Sequence, residues 1–247
     1  MDVTRHYAQR SDADSQTSPE PVRRAMTAAI QQVGLQPPLL DVGTGVGENL
    51  ALLRALGPTV GVDVSTSPLL TAKAIAPVAA ADAAHLPFAD AVFGGAVCTE
   101  VIEHVAHPEQ VVGELARVLR PGGLAVLTAP NYSNPVGLHK LIADAVSRRH
   151  DYNPWGAHEG GYEAFMTGRR LWRYARPHFD LVSVAALDYG QALTGRFALT
   201  DRIANHPVVY RRLERVVPWL ERPDNRWGFL AWHGMHVQLV LRRRSAS

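Results

Sequence analysis

The chain has 247 residues, of which 47% are hydrophobic and 19% are charged. This composition excludes a largely disordered protein, because enough apolar surface is available to form a sizeable core. The formal net charge of +2 is too small to indicate nucleic-acid binding by itself.

The sequence also predicts a cellular compartment. The single cysteine, Cys98, cannot form an internal disulfide, which fits a reducing environment. Residues 1–18 lack the apolar core of a signal peptide. No uncharged apolar run reaches the length of about 18 residues that a membrane span requires. We expect a cytoplasmic protein without a membrane span.

Strand patterns alternate with helix patterns through the first half of the chain. Ser18 as N-cap and Pro19 at the first helical position predict a helix start. Strands are predicted at 39–42, 59–64, 77–82, 93–98 and 124–128, with helices beginning at 48, 68 and 108 between them. The Arg120-Pro121-Gly122-Gly123 segment is expected to end the last helix. This alternation is typical of a parallel α/β sheet.

The second half of the chain is less regular. It carries a predicted helix at about 136–147, a second helix from Thr167, and two late strands at 179–185 and 236–241 that we expect to pair antiparallel at one edge. We predict a single domain with four parts: an N-terminal arm and helix (1–37), a cofactor-binding core (38–130), substrate-cap insertions (131–234), and a final strand with a basic tail (235–247).

A glycine-rich turn joins the first strand to the helix from Glu48. The strand and the turn together have the sequence Leu39-Leu40-Asp41-Val42-Gly43-Thr44-Gly45-Val46-Gly47. A strand that turns sharply into a helix is the unit of nucleotide-cofactor domains. Because glycines have no Cβ, backbone N–H groups can approach a ligand closely. The turn therefore predicts a site for a nucleotide-like cofactor.

Three acids end three successive predicted strands. They are Asp41, Asp63 and Asp82, and the carboxyl ends of such strands form the ligand-binding edge of an open α/β sheet. Asp63 is placed to accept hydrogen bonds from both hydroxyls of a ribose. Asp82 and the backbone N–H of Ala83 are placed for an adenine. We therefore expect an adenosine-containing ligand.

The position of Glu48 separates two such ligands. A dinucleotide fingerprint requires a glycine at the sixth position counted from Gly43, which is Glu48 here. A glutamate at the start of a helix competes with a pyrophosphate for the same dipole. S-adenosylmethionine has no phosphate, and its amino group favours nearby acids. The sequence therefore favours S-adenosylmethionine over a dinucleotide.

Five segments resemble the class I S-adenosylmethionine-dependent methyltransferases, and most closely the group that contains the ubiquinone-biosynthesis O-methyltransferases. They are the first strand with the glycine-rich turn (39–47), Gly-Val-Asp-Val-Ser (61–65), Asp-Ala-Ala-His-Leu-Pro-Phe (82–88), Glu-Val-Ile-Glu-His-Val (100–105) and Leu-Arg-Pro-Gly-Gly (119–123). The resemblance covers residues 38–131 well. It implies a Rossmann-like fold with a mostly parallel seven-stranded sheet, one antiparallel edge strand and a small helical and loop cap.

The resemblance also implies roles for single residues. The methionine moiety would be surrounded by the acid and the turn, the ribose would bind Asp63, the adenine would lie at Asp82 and Ala83 against Val64, and the sulfonium would lie above the end of the fourth strand. The implied cofactor-binding residues are Asp41, Gly43, Thr44, Gly45, Gly47, Asp63, Val64, Asp82, Ala83, Thr99 and Glu100.

The segment Glu100-Val101-Ile102-Glu103-His104 is a candidate catalytic or metal-binding motif. In a helix, Glu100, Glu103 and His104 would share one face and could ligate Mg²⁺ or another divalent cation. By resemblance, His158 would supply the fourth ligand. Two other interpretations stay open. His104 can act as a general base, with Glu103 beside it and no metal, or it can only fix the turn.

We therefore expect an S-adenosylmethionine-dependent enzyme that O-methylates a small-molecule hydroxyl, such as a quinone-like ring, a lipid headgroup, a sugar or a secondary metabolite. The expected partner is that acceptor, without nucleic acid. The alternatives are an RNA 2′-O-methyltransferase, a non-catalytic S-adenosylmethionine-binding module and, least favoured, a nicotinamide oxidoreductase. Acceptor contacts are expected from His6-Tyr7, Asn131-Tyr132, 136–170 and 187–234, and the aromatic residues Trp155, Tyr162, Phe165 and Trp172 are candidates to line the acceptor pocket.

Overall fold

A computed structural model describes residues 18–134, 137, 141, 163–187 and 232–245. Several predicted features lie outside the described residues. They are the predicted ligand His158 and the candidate acceptor contacts His6, Tyr7, Trp155 and Tyr162. The predicted helix at 136–147 lies almost wholly outside them. The division of the chain into four parts therefore stays a prediction.

Helices and strands alternate along the described residues, as the sequence predicts. In chain order they are α1 (Glu20–Gln32), β1 (Leu39–Val42), α2 (Glu48–Leu56), β2 (Thr59–Asp63), α3 (Thr66–Ala72), β3 (Val78–Ala80), β4 (Phe93–Thr99), a short 3₁₀ helix (Ile102–His104), α4 (Pro108–Val118), β5 (Leu119–Pro130), α5 (Gly168–Ala175), β6 (Phe179–Leu187) and β7 (His236–Arg243).

The strands form a seven-stranded sheet in the order β3-β2-β1-β4-β5-β7-β6. Strands β1 to β5 pair in parallel, whereas β7 pairs antiparallel with both β5 and β6. The mostly parallel sheet is confirmed, and its antiparallel strand, β7, lies one place in from the edge that β6 forms. The order reverses between β1 and β4, where open α/β sheets bind their ligands.

Two hydrophobic layers cover the sheet, because neighbouring residues of a strand point to opposite faces. Leu40, Cys98 and Leu127 pack with buried residues of α4 and α5. Leu39, Val97 and Val126 pack on the other face with α1 and with Leu53 of α2. Both faces are therefore buried, as in a doubly wound parallel sheet. No helix of the described residues has the length and apolar character needed to cross a membrane.

Two local predictions were wrong. The Pro121-Gly122-Gly123 segment does not separate α4 from β5, since β5 begins at Leu119 and passes through it as an irregularity, with Phe93 opposite Leu119 and Gly95 opposite Leu124. Ser18 is not the N-cap of α1. Pro19 holds that position without a side-chain hydrogen bond, and the Ser18 N–H donates to Glu48 Oε2 over 3.1 Å.

Candidate active site

The glycine-rich turn connects β1 to α2 and lies beside β2. The N–H groups of Gly43 and Thr44 both donate to the Val62 carbonyl, over 2.8 and 2.9 Å, and the Gly47 N–H donates to the Thr44 carbonyl over 2.8 Å. These bonds hold the turn at the carboxyl end of the sheet.

Positive φ angles and closely packed neighbouring side chains require glycine in this turn. Gly43 has φ of 73°, and a Cβ there would lie 2.0 Å from Val101 Cγ2. Gly47, the N-cap of α2, has φ of 96°, in the left-handed region that L side chains rarely adopt. Gly45 has φ of 51°, and among the described residues a Cβ there would meet nothing within 4 Å. The described part of the chain therefore leaves space over the middle of the turn, where a ligand is expected.

Asp41 lies beneath the turn and is 1% exposed. Its Oδ2 accepts a 2.7 Å hydrogen bond from the Thr44 hydroxyl, and its Oδ1 has no hydrogen-bond partner among the described residues. Burial raises the pKa of Asp41 to about 7. A buried carboxylate oxygen without a partner fits a site that binds a positively charged ligand.

Asp63 joins the end of β2 to the glycine-rich turn. Its Oδ2 accepts from the Gly45 N–H over 2.9 Å, and its Oδ1 accepts from the Ser65 N–H over 2.8 Å. Burial raises the pKa of Asp63. Because a carboxylate offers about four acceptor positions, each oxygen can accept a further hydrogen bond, as a ribose diol would require.

Asp82 and Ala83 follow β3 and lie next to Asp63 along the sheet edge. The Ala81 N–H donates to the Asp63 carbonyl over 2.9 Å, and Asp82 Oδ1 accepts from the Ala84 N–H over 2.9 Å. The structure thus places the three strand-end acids Asp41, Asp63 and Asp82 on one edge of the sheet, beside the glycine-rich turn.

Arg117 of α4 fixes the loop that follows Asp82, a role that the sequence did not indicate. Its guanidinium donates to the carbonyls of Leu86 and Phe88, over 3.0 and 2.7 Å. It also pairs with Glu114 at 2.7 Å and Asp90 at 2.8 Å. A lone arginine on an amphipathic helix gives no signal that its partners are loop carbonyls about 30 residues earlier.

Asn49 is a second residue that the sequence analysis missed. It belongs to the first turn of α2, and its Nδ2 donates a 3.0 Å hydrogen bond to the Thr99 hydroxyl at the end of β4. The only available signal was an amide side chain directly after the glycine-rich turn. Asn49 therefore links the turn to the strand end that the resemblance places beneath the sulfonium.

Glu100 follows β4 in a strained conformation and forms a pair with a distant residue. Its φ of 53° is rare for a residue other than glycine, and such strain concentrates at functional sites. Its Oε2 lies 3.4 Å from His236 Nε2 at the start of β7, and burial raises the pKa of Glu100 to about 7. Because β7 is antiparallel, its first residue reaches the ligand-binding edge, which the sequence analysis did not use.

Glu103 and His104 lie in the 3₁₀ helix rather than on one face of an α-helix with Glu100. The prediction of a shared helical turn was wrong, because the 3₁₀ helix begins at Ile102, two residues after Glu100. Glu103 is 1% exposed, and burial with the nearby charge of Glu100 raises its pKa well above the ordinary value. Its Oε1 lies 3.7 Å from Nε2 of the more accessible His104.

Tyr132 and Glu163 bring a third carboxylate to the same region. The Tyr132 hydroxyl donates to Glu163 Oε1, and the Tyr132 ring stacks on Phe165 with centroids 5.1 Å apart. The Ala164 N–H donates to the Glu103 carbonyl over 2.7 Å. Residues 163–166 therefore lie against the 3₁₀ helix, so two of the predicted acceptor contacts, Tyr132 and Phe165, lie beside the candidate catalytic residues.

The predicted metal set is not assembled among the described residues. No group of three or more histidine, cysteine, aspartate or glutamate side chains there is arranged to hold a metal, and Glu100 faces His236 instead. His158 lies outside the described residues. The four-ligand site therefore stays a prediction.

The residues along the sheet edge do fit S-adenosylmethionine. The open space over Gly45, the unpartnered Asp41 Oδ1 and the free acceptor capacity of Asp63 match a ligand with a positive amino group and a ribose. Val64, Ala83 and Thr99 lie within or beside the same strand ends.

Comparisons with known proteins match the central segment of the chain to one family of domains. Residues 40–127 match the family model described as a methyltransferase domain. An uncharacterized methyltransferase of Mycolicibacterium vanbaalenii is 34% identical over 139 residues, which cover 50% of this chain and 54% of that protein. Another, of Mycobacterium leprae, is 35% identical over 163 residues, covering 63% and 52%. The chain spans about half the length of these curated relatives.

Solved structures share the fold at low sequence identity. An S-adenosylmethionine dependent methyltransferase from Mesorhizobium loti matches with a TM-score of 0.57 and 16% identity, covering 91% of this chain and 99% of that one. The cyclase SpnF matches with a TM-score of 0.57 and 18% identity, covering 97% and 86%. These likenesses establish the fold alone.

Proposed function

We propose that this chain, whose residues 40–127 match a methyltransferase domain, is a class I S-adenosylmethionine-dependent methyltransferase that transfers a methyl group to a hydroxyl of a small molecule. The observation that carries the proposal is the row of Asp41, Asp63 and Asp82 at three neighbouring strand ends around a turn with open space over Gly45. A row of acids suits a cationic adenosine ligand and disfavours a pyrophosphate.

S-adenosylmethionine supplies, when bound, a methyl group already activated by its sulfonium. The task of the protein is therefore to hold an acceptor oxygen in line with that methyl carbon and to exclude water. The acceptor oxygen forms a bond to the methyl carbon while the carbon–sulfur bond breaks. S-adenosylhomocysteine leaves with the electron pair of that bond, and the hydroxyl proton must also be lost, because the product ether is neutral.

His104 is the proposed acceptor of that proton. It is more accessible than Glu103, and the Glu103 carboxylate lies 3.7 Å from its Nε2, where it can orient the ring and stabilise its charged form. Histidine is suited to this role because its ordinary pKa lies near neutrality. Glu103 then acts as a positioning residue for His104.

A turnover assay tests the proposal. The purified chain is supplied with S-adenosylmethionine and a panel of phenols, sugars and lipid headgroups, and S-adenosylhomocysteine is measured with the methylated product. We expect turnover with hydroxyl acceptors, and a reduction of roughly 10²-fold or more in kcat for His104→Gln. The exposed His107→Gln, directly before α4, serves as the matched control.

The assay also separates the proposal from its alternatives. The fold itself does not determine the reaction, as the cyclase among the structural matches illustrates. Binding of S-adenosylhomocysteine without turnover on any acceptor would favour the non-catalytic binding module. Full activity of His104→Gln would remove His104 as the base and leave positioning alone as the source of the rate.

A further inference from the structure

Three glutamates meet at the ligand-binding edge from separate segments. Glu100 follows β4, Glu103 lies in the 3₁₀ helix, and Glu163 belongs to the segment before α5. The segments are joined by backbone hydrogen bonds from Ala164 N–H to the Glu103 carbonyl, over 2.7 Å, and from Tyr132 N–H to the Met166 carbonyl, over 2.9 Å. The three carboxylates, here called the acid cluster, are thus held together by the fold.

The acid cluster contains buried oxygen atoms without partners. Glu103 is 1% exposed, and its Oε2 has no hydrogen-bond partner among the described residues; the same holds for Glu100 Oε1. The ion-pair partners of these two glutamates within the described residues are histidines, at 3.7 and 3.4 Å. Buried carboxylate oxygens that lack donors are costly, so a ligand that brings N–H donors would be favoured at this position.

Aromatic rings lie beside the acid cluster. Tyr132 donates its hydroxyl to Glu163, and its ring stacks on that of Phe165 at an interplanar angle of 24°. Aromatic faces attract cations through their quadrupole. Carboxylates beside aromatic rings form an environment that favours an organic cation over an anion or a purely apolar group.

We propose that the acid cluster binds an ammonium group of the methyl acceptor, so that the acceptor is a hydroxylated amine. This inference rests on the proposed methyltransferase function. An ammonium group has N–H donors that can bond to Glu103 Oε2 and Glu100 Oε1, and charge-assisted bonds of this kind are strong. A metal ion is the competing occupant, and the test below distinguishes the two.

Paired ligands test this inference by titration calorimetry of the full chain saturated with S-adenosylhomocysteine. Tyramine is compared with tyrosol, in which a hydroxyl replaces the ammonium group, and ethanolamine with ethylene glycol. We expect at least one ammonium ligand to bind on the order of tenfold or more tightly than its neutral counterpart. Equal affinity within both pairs, or no binding of any of the four, would overturn the inference.

Glutamine substitutions test which glutamates cause the preference for the ammonium ligand. Glu103→Gln and Glu163→Gln should reduce the preference for the ammonium ligand to about one-third or less of its original ratio, while the exposed Glu109→Gln of α4 should leave it unchanged. Each variant is checked by its melting temperature, and Glu163→Gln carries the test if Glu103→Gln does not fold. An unchanged preference in both glutamine variants would contradict the assignment.

Two further measurements distinguish a failure of this inference from a failure of the proposed function. If EDTA abolishes the preference and magnesium restores it, the acid cluster holds a metal and the ammonium assignment is wrong. If S-adenosylhomocysteine binds normally without any ammonium preference, only this inference fails. Loss of S-adenosylhomocysteine binding in the unaltered chain would instead contradict the proposed function itself.

Discussion

Single buried carboxyls make the stability of this protein depend on pH. Burial raises the pKa of Asp41 from its ordinary value to about 7 in the folded chain. The folded state therefore binds more protons than the unfolded state between about pH 4 and pH 7, and the free energy of unfolding must fall as the pH rises through that window. Each unit of difference in pKa corresponds to about 1.4 kcal/mol.

Asp41→Asn isolates this effect, because asparagine can still accept the hydrogen bond from the Thr44 hydroxyl. Urea denaturation of the ligand-free chain should show that stability falls from about pH 5 to about pH 8, and that the fall is smaller in Asp41→Asn by roughly 1–3 kcal/mol. Equal slopes in the two proteins would mean that Asp41 is not a source of the pH dependence.

Asp63 tests the cofactor assignment at the same scale. Its carboxylate is expected to accept two ribose hydroxyls while it holds the Gly45 and Ser65 N–H groups. Asp63→Ala should weaken S-adenosylhomocysteine binding by on the order of 10²-fold, since each charged hydrogen bond contributes about 1.5–3 kcal/mol. Calorimetry measures the loss, and Asp180→Ala, an exposed acid on β6, is the control. Unaltered binding by Asp63→Ala would refute the ribose assignment.

At the scale of elements, the connection from β1 to α2 depends on Gly43. An alanine there would have an unfavourable φ and a Cβ 2.0 Å from Val101 Cγ2, so Gly43→Ala should destabilise the fold by roughly 2–5 kcal/mol. Gly113 in α4 is the matched control. Its Cβ position is open, and Gly113→Ala should stabilise by about 0.5–1 kcal/mol. Thermal denaturation of both variants checks the contrast, which equal losses would contradict.

Arg117 connects α4 to the loop that carries Asp82 and Ala83. Arg117→Met removes its bonds to the carbonyls of Leu86 and Phe88 and leaves Glu114 without its 2.7 Å partner. We expect a loss of about 1–3 kcal/mol of stability and weaker binding of S-adenosylhomocysteine, because the adenine contacts lose their support. Arg54→Met at the exposed end of α2 should change neither. Unchanged ligand affinity in Arg117→Met would show that this loop does not contribute to the cofactor site.

At the scale of the whole molecule, local features could be predicted from the sequence, whereas contacts between distant segments could not. The parallel sheet follows from local patterns, since each strand and helix is signalled by its own residues, and the row of Asp41, Asp63 and Asp82 follows from strand ends. The pairing of Glu100 with His236 could not be predicted in this way, because it depends on the antiparallel direction of β7. The contact of Tyr132 with Glu163 joins residues that lie 31 positions apart in the sequence, which no local pattern predicts.

The local errors have a common physical cause. Pro121, Gly122 and Gly123 favour a turn, but pairing of β5 with β4 continues on both sides of them, so tertiary hydrogen bonding overrides the local preference. Likewise, the helical spacing of Glu100, Glu103 and His104 does not produce a shared face, since Glu100 adopts a φ of 53° at the end of β4.

The central claim is that the three strand-end acids and the glycine-rich turn bind S-adenosylmethionine. Titration calorimetry of the purified chain with S-adenosylhomocysteine and, separately, with NADH tests it most directly. We predict binding of S-adenosylhomocysteine in the micromolar range with one site per chain, and no heat of binding for NADH. Binding of NADH without binding of S-adenosylhomocysteine would contradict the claim.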